Sequence, residues 1–339
     1  MENSRKYSSV SPYLIVLLSL VGIILMGSLL LTLPISHIDG NWGNYLDSLF
    51  VATSATCVTG LSVYVKGIGN ELTVFGQAIM LIMIQIGGLG FITILTFIIA
   101  LFIRRLKFRD RLFLSQAINS NTIADVGKFA KRVVIIVLVT ETLGFVLGIP
   151  VFLAMDGLSV GEALWMSFFT SISAFNNAGF DLFGSTSLIR GIGNAYIDSL
   201  SDGMYYYFLS YIMLLIILGG LSFVVIIDLT FLHKKPRQLN AYTKIVLLTT
   251  SLLLVSGFAI FCLTDSINGT MTPFHSLFQS VTTRTAGFAS VDQSSLSHAG
   301  KTISCLLMFI GGSPISTAGG IKTNLNKYVL KAELLQKIL

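Results

Sequence analysis

The sequence predicts an all-α, polytopic membrane protein built from tandem units, each a spanning helix, a short re-entrant segment and a second spanning helix. Three observations carry this. The 339 residues are 53% hydrophobic and only 11% charged, less than half the charged share of an ordinary soluble domain. Residues 7–38, 72–103, 203–227, 245–264 and 302–321 contain no Lys, Arg, Asp or Glu, and 133–155 contains only Glu141. Between paired stretches, a shorter apolar segment ending in a glycine recurs three times.

Each charge-free stretch can cross a hydrocarbon core about 30 Å thick, which takes roughly 20 helical residues. The first follows Arg5 and Lys6, but it is about twice as long as a signal-peptide apolar region and reads as a retained helix. Charge fixes the orientation. Arg104, Arg105, Lys107, Arg109, Arg111, Lys128, Lys131 and Arg132 lie between the second and third stretches, and Lys234, Lys235, Arg237 and Lys244 between the fourth and fifth. Acidic residues collect in the other connections. The positive-inside rule then places residues 1–10 and both basic loops in the cytoplasm. The net charge of +6 is a topology signal of this kind and excludes a nucleic-acid role. Cys57, Cys262 and Cys305 have no paired spacing, and the four histidines are scattered; neither a disulfide framework nor a metal site is expected.

The short segments cover residues 45–63, 163–183 and 273–292, and they align on Gly60, Gly179 and Gly287. Each has an amphipathic first half, a Ser or Thr, and three residues ahead of the glycine. A helix of about 12 residues rises roughly 18 Å and stops near mid-membrane, where non-helical backbone is tolerated only if it is buried in protein or lines a wet cavity. The units run over residues 11–112, 128–235 and 241–323. Each also carries a glycine pair, in "IQIGGLGFIT", "IILGGLSFVV" and "MFIGGSPISTAGGIK". The first two read as close-packing sites; the third has the composition of a broken helix. Half-helix and glycine-bearing strand together present backbone carbonyls to a bare cation, and four such quadrants close a ring.

The glycine segments "TCVTGL", "NNAGF" and "TRTAGF", followed by "GGSPISTAGGIKT", resemble the Trk/Ktr/HKT superfamily of potassium transporters, most closely the bacterial Ktr-type membrane subunit. The resemblance implies a potassium filter around a pseudo-fourfold pore. Its residues map onto Cys57, Val58, Thr59 and Gly60, onto Asn176, Asn177, Ala178 and Gly179, and onto Thr285, Ala286 and Gly287. Arg284 would brace the filter by bonding the carbonyl ends of its own pore helix or the adjacent quadrant. Residues 311–322 resemble an intramembrane gating loop, here Gly311, Gly312, Ser313, Pro314, Ser316, Thr317, Ala318, Gly319, Gly320 and Lys322. The resemblance further implies a plasma-membrane permease rather than an enzyme. Its expected partners are a second copy of the chain, membrane lipid and a cytosolic ring of nucleotide-binding regulatory subunits. It implies no cofactor in this chain beyond transported potassium, with sodium as a candidate second cation and nucleotide acting only through the regulatory partner.

Against the four repeats of the family, three are legible here, and residues 324–339 form a divergent polar tail. A chain lacking the fourth quadrant is expected to be truncated and impaired when alone. Glu141 stands mid-span as a candidate for the ion pathway or for a structural bond to neighbouring hydroxyls, and Asp228 is expected to meet the basic loops. A secondary transporter with discontinuous helices, or an inactive assembly partner, are the alternatives. The former predicts inverted repeats, whereas all three units enter with the same orientation.

Overall fold

The protein's structure, a computed structural model, describes residues 12–90, 126–231 and 239–320. Residues 1–10, the basic cluster at 104–111, Lys234, Lys235, Arg237, Lys322 and the tail lie outside the described residues. Among the described residues, three helices are long and apolar enough to cross a membrane, over Phe129–Leu153, Asp202–Gly220 and Ala241–Ser266. Among the described residues there is no β-strand, and one isolated bridge joins His37 and Leu72.

Three units follow one another in the same order. In the first, α1 (Pro12–Thr32) leads to α2 (Tyr45–Thr56) and α3 (Val74–Leu89); in the second, α4 (Val126–Leu153) leads to α5 (Val160–Phe175), α6 (Asp202–Gly220) and α7 (Phe223–Phe231). The third holds α8 (Ala241–Phe261), α9 (Pro273–Thr282) and α10 (His298–Phe309). The short helices α2, α5 and α9 have 12, 16 and 10 residues, about 15 to 24 Å of rise and less than a full crossing. Each starts at a polar cap that satisfies an end N–H. Asn44 accepts from Leu46 N, Ser159 and Glu162 form a capping box, and Thr272 accepts from His275 N ahead of Pro273.

Each short helix packs on the long helix that precedes it, α2 on α1, α5 on α4 and α9 on α8. The units then interlock in sequence, because α3 also touches α5 and α6 also touches α9. Trp165 on α5 donates its indole N–H to Gln77 on α3 at 2.6 Å, tying the first two units. The long helices carry the apolar surface. Leu17, Leu18, Met26 and Leu29 on α1, Leu138, Leu143 and Val146 on α4, and Leu248, Leu252 and Val255 on α8 are exposed, as expected of side chains facing lipid, while α5 is buried along most of its length.

One expected span is interrupted. Residues 203–227 read as continuous, but α6 stops at Gly220, Leu221 is extended, and α7 begins at Phe223. The described partners of Asp228 lie at the start of α8. Its carboxylate accepts from Asn240 N, Asn240 Nδ2 and the Thr243 hydroxyl, capping the N-terminal end of α8, where the helix dipole favours negative charge.

Candidate functional site

Directly after each short helix the backbone repeats one conformation. The residue following the helix remains right-handed at Cys57 and Asn176. The next position is left-handed, at Val58 (φ 57°), Asn177 (φ 54°) and Thr285 (φ 68°), and two residues later Gly60, Gly179 and Gly287 are left-handed again, at φ 75°, 71° and 89°. A left-handed β-branched residue is a genuine outlier that costs on the order of 1–3 kcal/mol. Two of the three positions, Val58 and Thr285, are β-branched, so this conformation is imposed rather than chosen by local preference.

A hydroxyl from each short helix imposes it. Ser173 Oγ donates to Phe180 O at 2.6 Å and accepts from Phe180 N at 3.0 Å, while Ser173 O receives Ala178 N. Ser54 does the same in the first unit, with its Oγ accepting from Leu61 N and meeting the Thr59 hydroxyl, and its carbonyl receiving Thr59 N. In the third unit Thr282 Oγ1 donates to Phe288 O at 2.6 Å, and Thr282 O receives Ala286 N. These hydroxyls stand six, six and five residues before their glycines; the Ser or Thr expected four residues before is occupied in the second unit by Phe175.

The three segments converge on one another. A side chain at Gly60 would place its first carbon 2.6 Å from Ala178 O, and one at Gly179 would stand 2.4 Å from Ala286 O and 2.9 Å from the Gly287 Cα. Gly287 in turn faces the Gly179 Cα, at 3.2 Å. Glycine is required at Gly60 and Gly179 on two counts, the positive φ and the approach of a neighbouring carbonyl. The C-terminal ends of the short helices, with their partial negative charge, point toward this convergence.

The glycine pairs of α3 and α6 sit behind those ends, in line with the packing expected of them. A side chain at Gly87 would stand 2.0 Å from Thr56 O and one at Gly219 1.8 Å from Phe175 O, the last residues of α2 and α5. The third pair opens the predicted broken segment, where α10 ends at Phe309 and the chain doubles back. Gly311 packs so closely on Gly319 and Gly320 that no side chain fits between them. The loop is held by the second unit and, at its end, by the third. Ser313 N and Oγ donate to Gly220 O at 3.2 and 2.8 Å, and Thr317 N donates to Gly219 O. Thr317 Oγ1 lies 2.9 Å from both Phe175 O and Gly219 O. Phe223 N donates to Ile315 O, and Gly319 N donates to Thr285 Oγ1 at 3.0 Å. The same contacts take up carbonyls left free at the interruption between α6 and α7.

The foot residues of the three segments differ. Cys57 is exposed. Asn176 is fully buried and turns its amide away from the segment, donating toward Glu141 Oε1 (3.0 Å), Gln85 Oε1 (3.1 Å) and Ile172 O (2.9 Å). Glu141 is therefore met by an amide, while the hydroxyl beside it, Ser171, donates to its backbone carbonyl. Asn177, with its amide oriented to donate, reaches Ile216 O and Ala174 O. Arg284 departs from the expectation. Its Nη2 lies 3.5 Å from Gly311 O in the broken segment, not at its own helix end, and its Nε is buried without a hydrogen-bond partner. It lines a small cavity with Asn177, Gly220, Leu254 and Gly312. At its own helix end the Thr282 carbonyl already receives Ala286 N and Gly287 N.

Comparison with known proteins agrees with this architecture. The family model described as TrkH, cation transport protein, matches residues 23–338. The potassium/sodium uptake protein NtpJ of Enterococcus hirae is 35% identical over 326 residues, 94% of this chain and 68% of that protein. The Ktr system potassium uptake protein B of Vibrio alginolyticus is 35% identical over 91% of this chain and 66% of its own length, and that of Bacillus subtilis 34% identical over 88% and 65%. The chain thus spans about two thirds of the length of these relatives. The crystal structure of the potassium transporter TrkH from Vibrio parahaemolyticus aligns with a TM-score of 0.66 at 21% identity, covering 98% of this chain and 62% of that one; at that identity the likeness shows the fold. These relatives are transporters rather than enzymes, and the apolar helices place the chain in a bacterial membrane. With a family match running through all three units, the chain belongs to the TrkH cation transport protein family.

Proposed function

We propose that the chain is an ion-conducting membrane subunit of a potassium uptake system, a channel-like permease in which the three segments each supply one quadrant of a selectivity filter. The observation that carries this reading is the thrice-repeated backbone: a left-handed residue, then a left-handed glycine two positions on, at the end of a helix too short to cross. Alternation of hand along a segment turns successive carbonyls to one side, and rings of such carbonyls replace the hydration shell of a cation. The filter residues are Cys57 to Gly60, Asn176 to Gly179 and Thr285 to Gly287, with the helix ends adding negative potential below.

The loop over residues 311–320 acts as the gate beneath the filter, and Arg284 links the foot of the third segment to it. Entry is driven by the membrane potential; 100 mV is worth about 2.3 kcal/mol per cation, roughly fifty-fold accumulation. The N-terminus faces the cytoplasm and the filter opens outward. A dimer of this chain on a cytosolic nucleotide-binding ring, meeting the basic inner loops, is the assembly the reading favours, with sodium as a second cation. The common order of the three units speaks against inverted repeats.

The test is expression of the gene encoding this chain in a bacterium stripped of its own potassium uptake. Growth at low potassium is restored if the reading holds, less fully than by a relative with four legible repeats. A protein that reaches the membrane at normal abundance without supporting growth or rubidium uptake overturns it.

A further inference from the structure

The filter reading leaves unexplained the polar cluster behind the second segment. Asn176 is completely buried, and its side-chain nitrogen has three acceptors within 3.1 Å, Glu141 Oε1, Gln85 Oε1 and Ile172 O. They come from three elements: α4 of the same unit, α3 of the first unit, and α5 itself. An amide nitrogen carries two protons, so its donors are fully committed. The side-chain oxygen is equally confined, because it is buried without a partner against Gly88, where a side chain would stand 2.0 Å away. The hydroxyl of Ser171 on α5 donates to Glu141 O at 2.7 Å, fixing α4 to α5 at this level.

We propose that Glu141, with Gln85, is a specificity-determining positioning residue that holds the foot of the second filter segment through Asn176; this rests on the filter reading above. Asn176 is followed by left-handed Asn177 and then by Ala178, whose carbonyl faces Gly60. A lock on Asn176 therefore acts two residues from an oxygen at the convergence of the segments. The equivalent residues lack it: Cys57 is exposed, and Arg284 reaches the gating loop. The second segment lies between the other two, so both neighbours take their register from it. A filter discriminates by the positions its carbonyls hold; with the lock removed, the segment shifts and its carbonyls close on a smaller cation.

The test compares potassium with sodium uptake in a potassium-uptake-deficient bacterium expressing the encoding gene, with membrane abundance measured by immunoblot. Glu141→Ala lowers the potassium-to-sodium ratio by about tenfold or more, the size expected for losing one buried hydrogen bond to a carboxyl group. Glu141→Gln keeps the ratio, since its side-chain oxygen still accepts from Asn176. The double variant Glu141→Ala with Asn176→Ala is no worse than Asn176→Ala alone, because one residue acts through the other. An unchanged ratio in Glu141→Ala, a fall in Glu141→Gln equal to that in Glu141→Ala, or additive losses in the double variant would each overturn the proposal. Should Glu141→Ala not reach the membrane, Gln85→Ala carries the same prediction and the same contrary result. A wild-type protein with no preference for potassium over sodium contradicts the filter reading itself, a distinct outcome.

Discussion

The first and second glycine segments share a backbone but not a setting. Asn176, Asn177, Ala178 and Phe180 are at most 2% exposed, enclosed between the first and third units. Cys57 and Thr59 are exposed, and Leu61 is 60% exposed. Yet Val58 and Asn177 have φ within a few degrees of each other, and Ser54 and Ser173 grip their segments through the same pair of contacts. Conformation that persists from a buried to an open setting is encoded within each unit, by the helix end and its hydroxyl. The surroundings decide how rigidly it is held.

Glycine replacement gives the widest separation. Gly179→Ala meets Ala286 O at 2.4 Å and Gly60→Ala meets Ala178 O at 2.6 Å, whereas the nearest atom to a side chain at Gly287 is 3.2 Å away. Left-handed strain of roughly 1–2 kcal/mol is common to all three, and the backbone clash is added only to the first two. Rubidium uptake should fall by about a hundredfold in Gly179→Ala, nearly as much in Gly60→Ala and markedly less in Gly287→Ala, on a scale where 1.4 kcal/mol is tenfold. Equal losses at all three sites would show that packing between segments is immaterial.

The hydroxyl grip comes next. Ser173→Ala strands Phe180 N and O in the interior and should destabilise by about 1–3 kcal/mol. Ser54→Ala, where Thr59 and Leu61 reach an exposed surface, should cost about 0.5–1.5 kcal/mol. Thermal unfolding of the detergent-solubilised protein measures both, and the reverse order would break the comparison. A smaller effect is expected at the loop. Thr317→Val keeps the shape but leaves Phe175 O and Gly219 O without the hydroxyl, loosening the gate by about 1 kcal/mol; basal rubidium leak should rise severalfold, and an unchanged leak would separate this contact from gating. Smallest in energy is a labelling contrast. Cys57 should react with a small thiol reagent, while a cysteine introduced as Ala178→Cys stays protected.

Much of this was legible in the sequence because glycine is forced where φ is positive and a carbonyl approaches. The spacing of Gly60, Gly179 and Gly287 thus located all three segments, and the glycines with Pro314 marked the break after Phe309. What escaped was set by distant partners. Leu221 and Ser222 are not helix breakers, and the interruption there is held by Ser313, Ile315 and Thr317, about ninety residues on. The side-chain partners of Asn176 lie 35 and 91 residues away, beyond any local pattern. Arg284, expected at its own helix end or the adjacent quadrant, instead reaches Gly311 O, 27 residues on in the loop of its own unit. The gripping hydroxyls could have been found. A Ser or Thr six, six and five residues before each glycine stands in the sequence, in the last turn of its short helix.

The central claim is that the three segments converge to form one potassium-selective path, and Gly179 is its middle member. The most direct measurement is the ratio of potassium to sodium uptake, at matched membrane abundance, for the wild-type protein and Gly179→Ala. The account predicts a clear preference for potassium in the former and its collapse toward unity in the latter. A preference that survives intact in Gly179→Ala, with uptake still running, would contradict it.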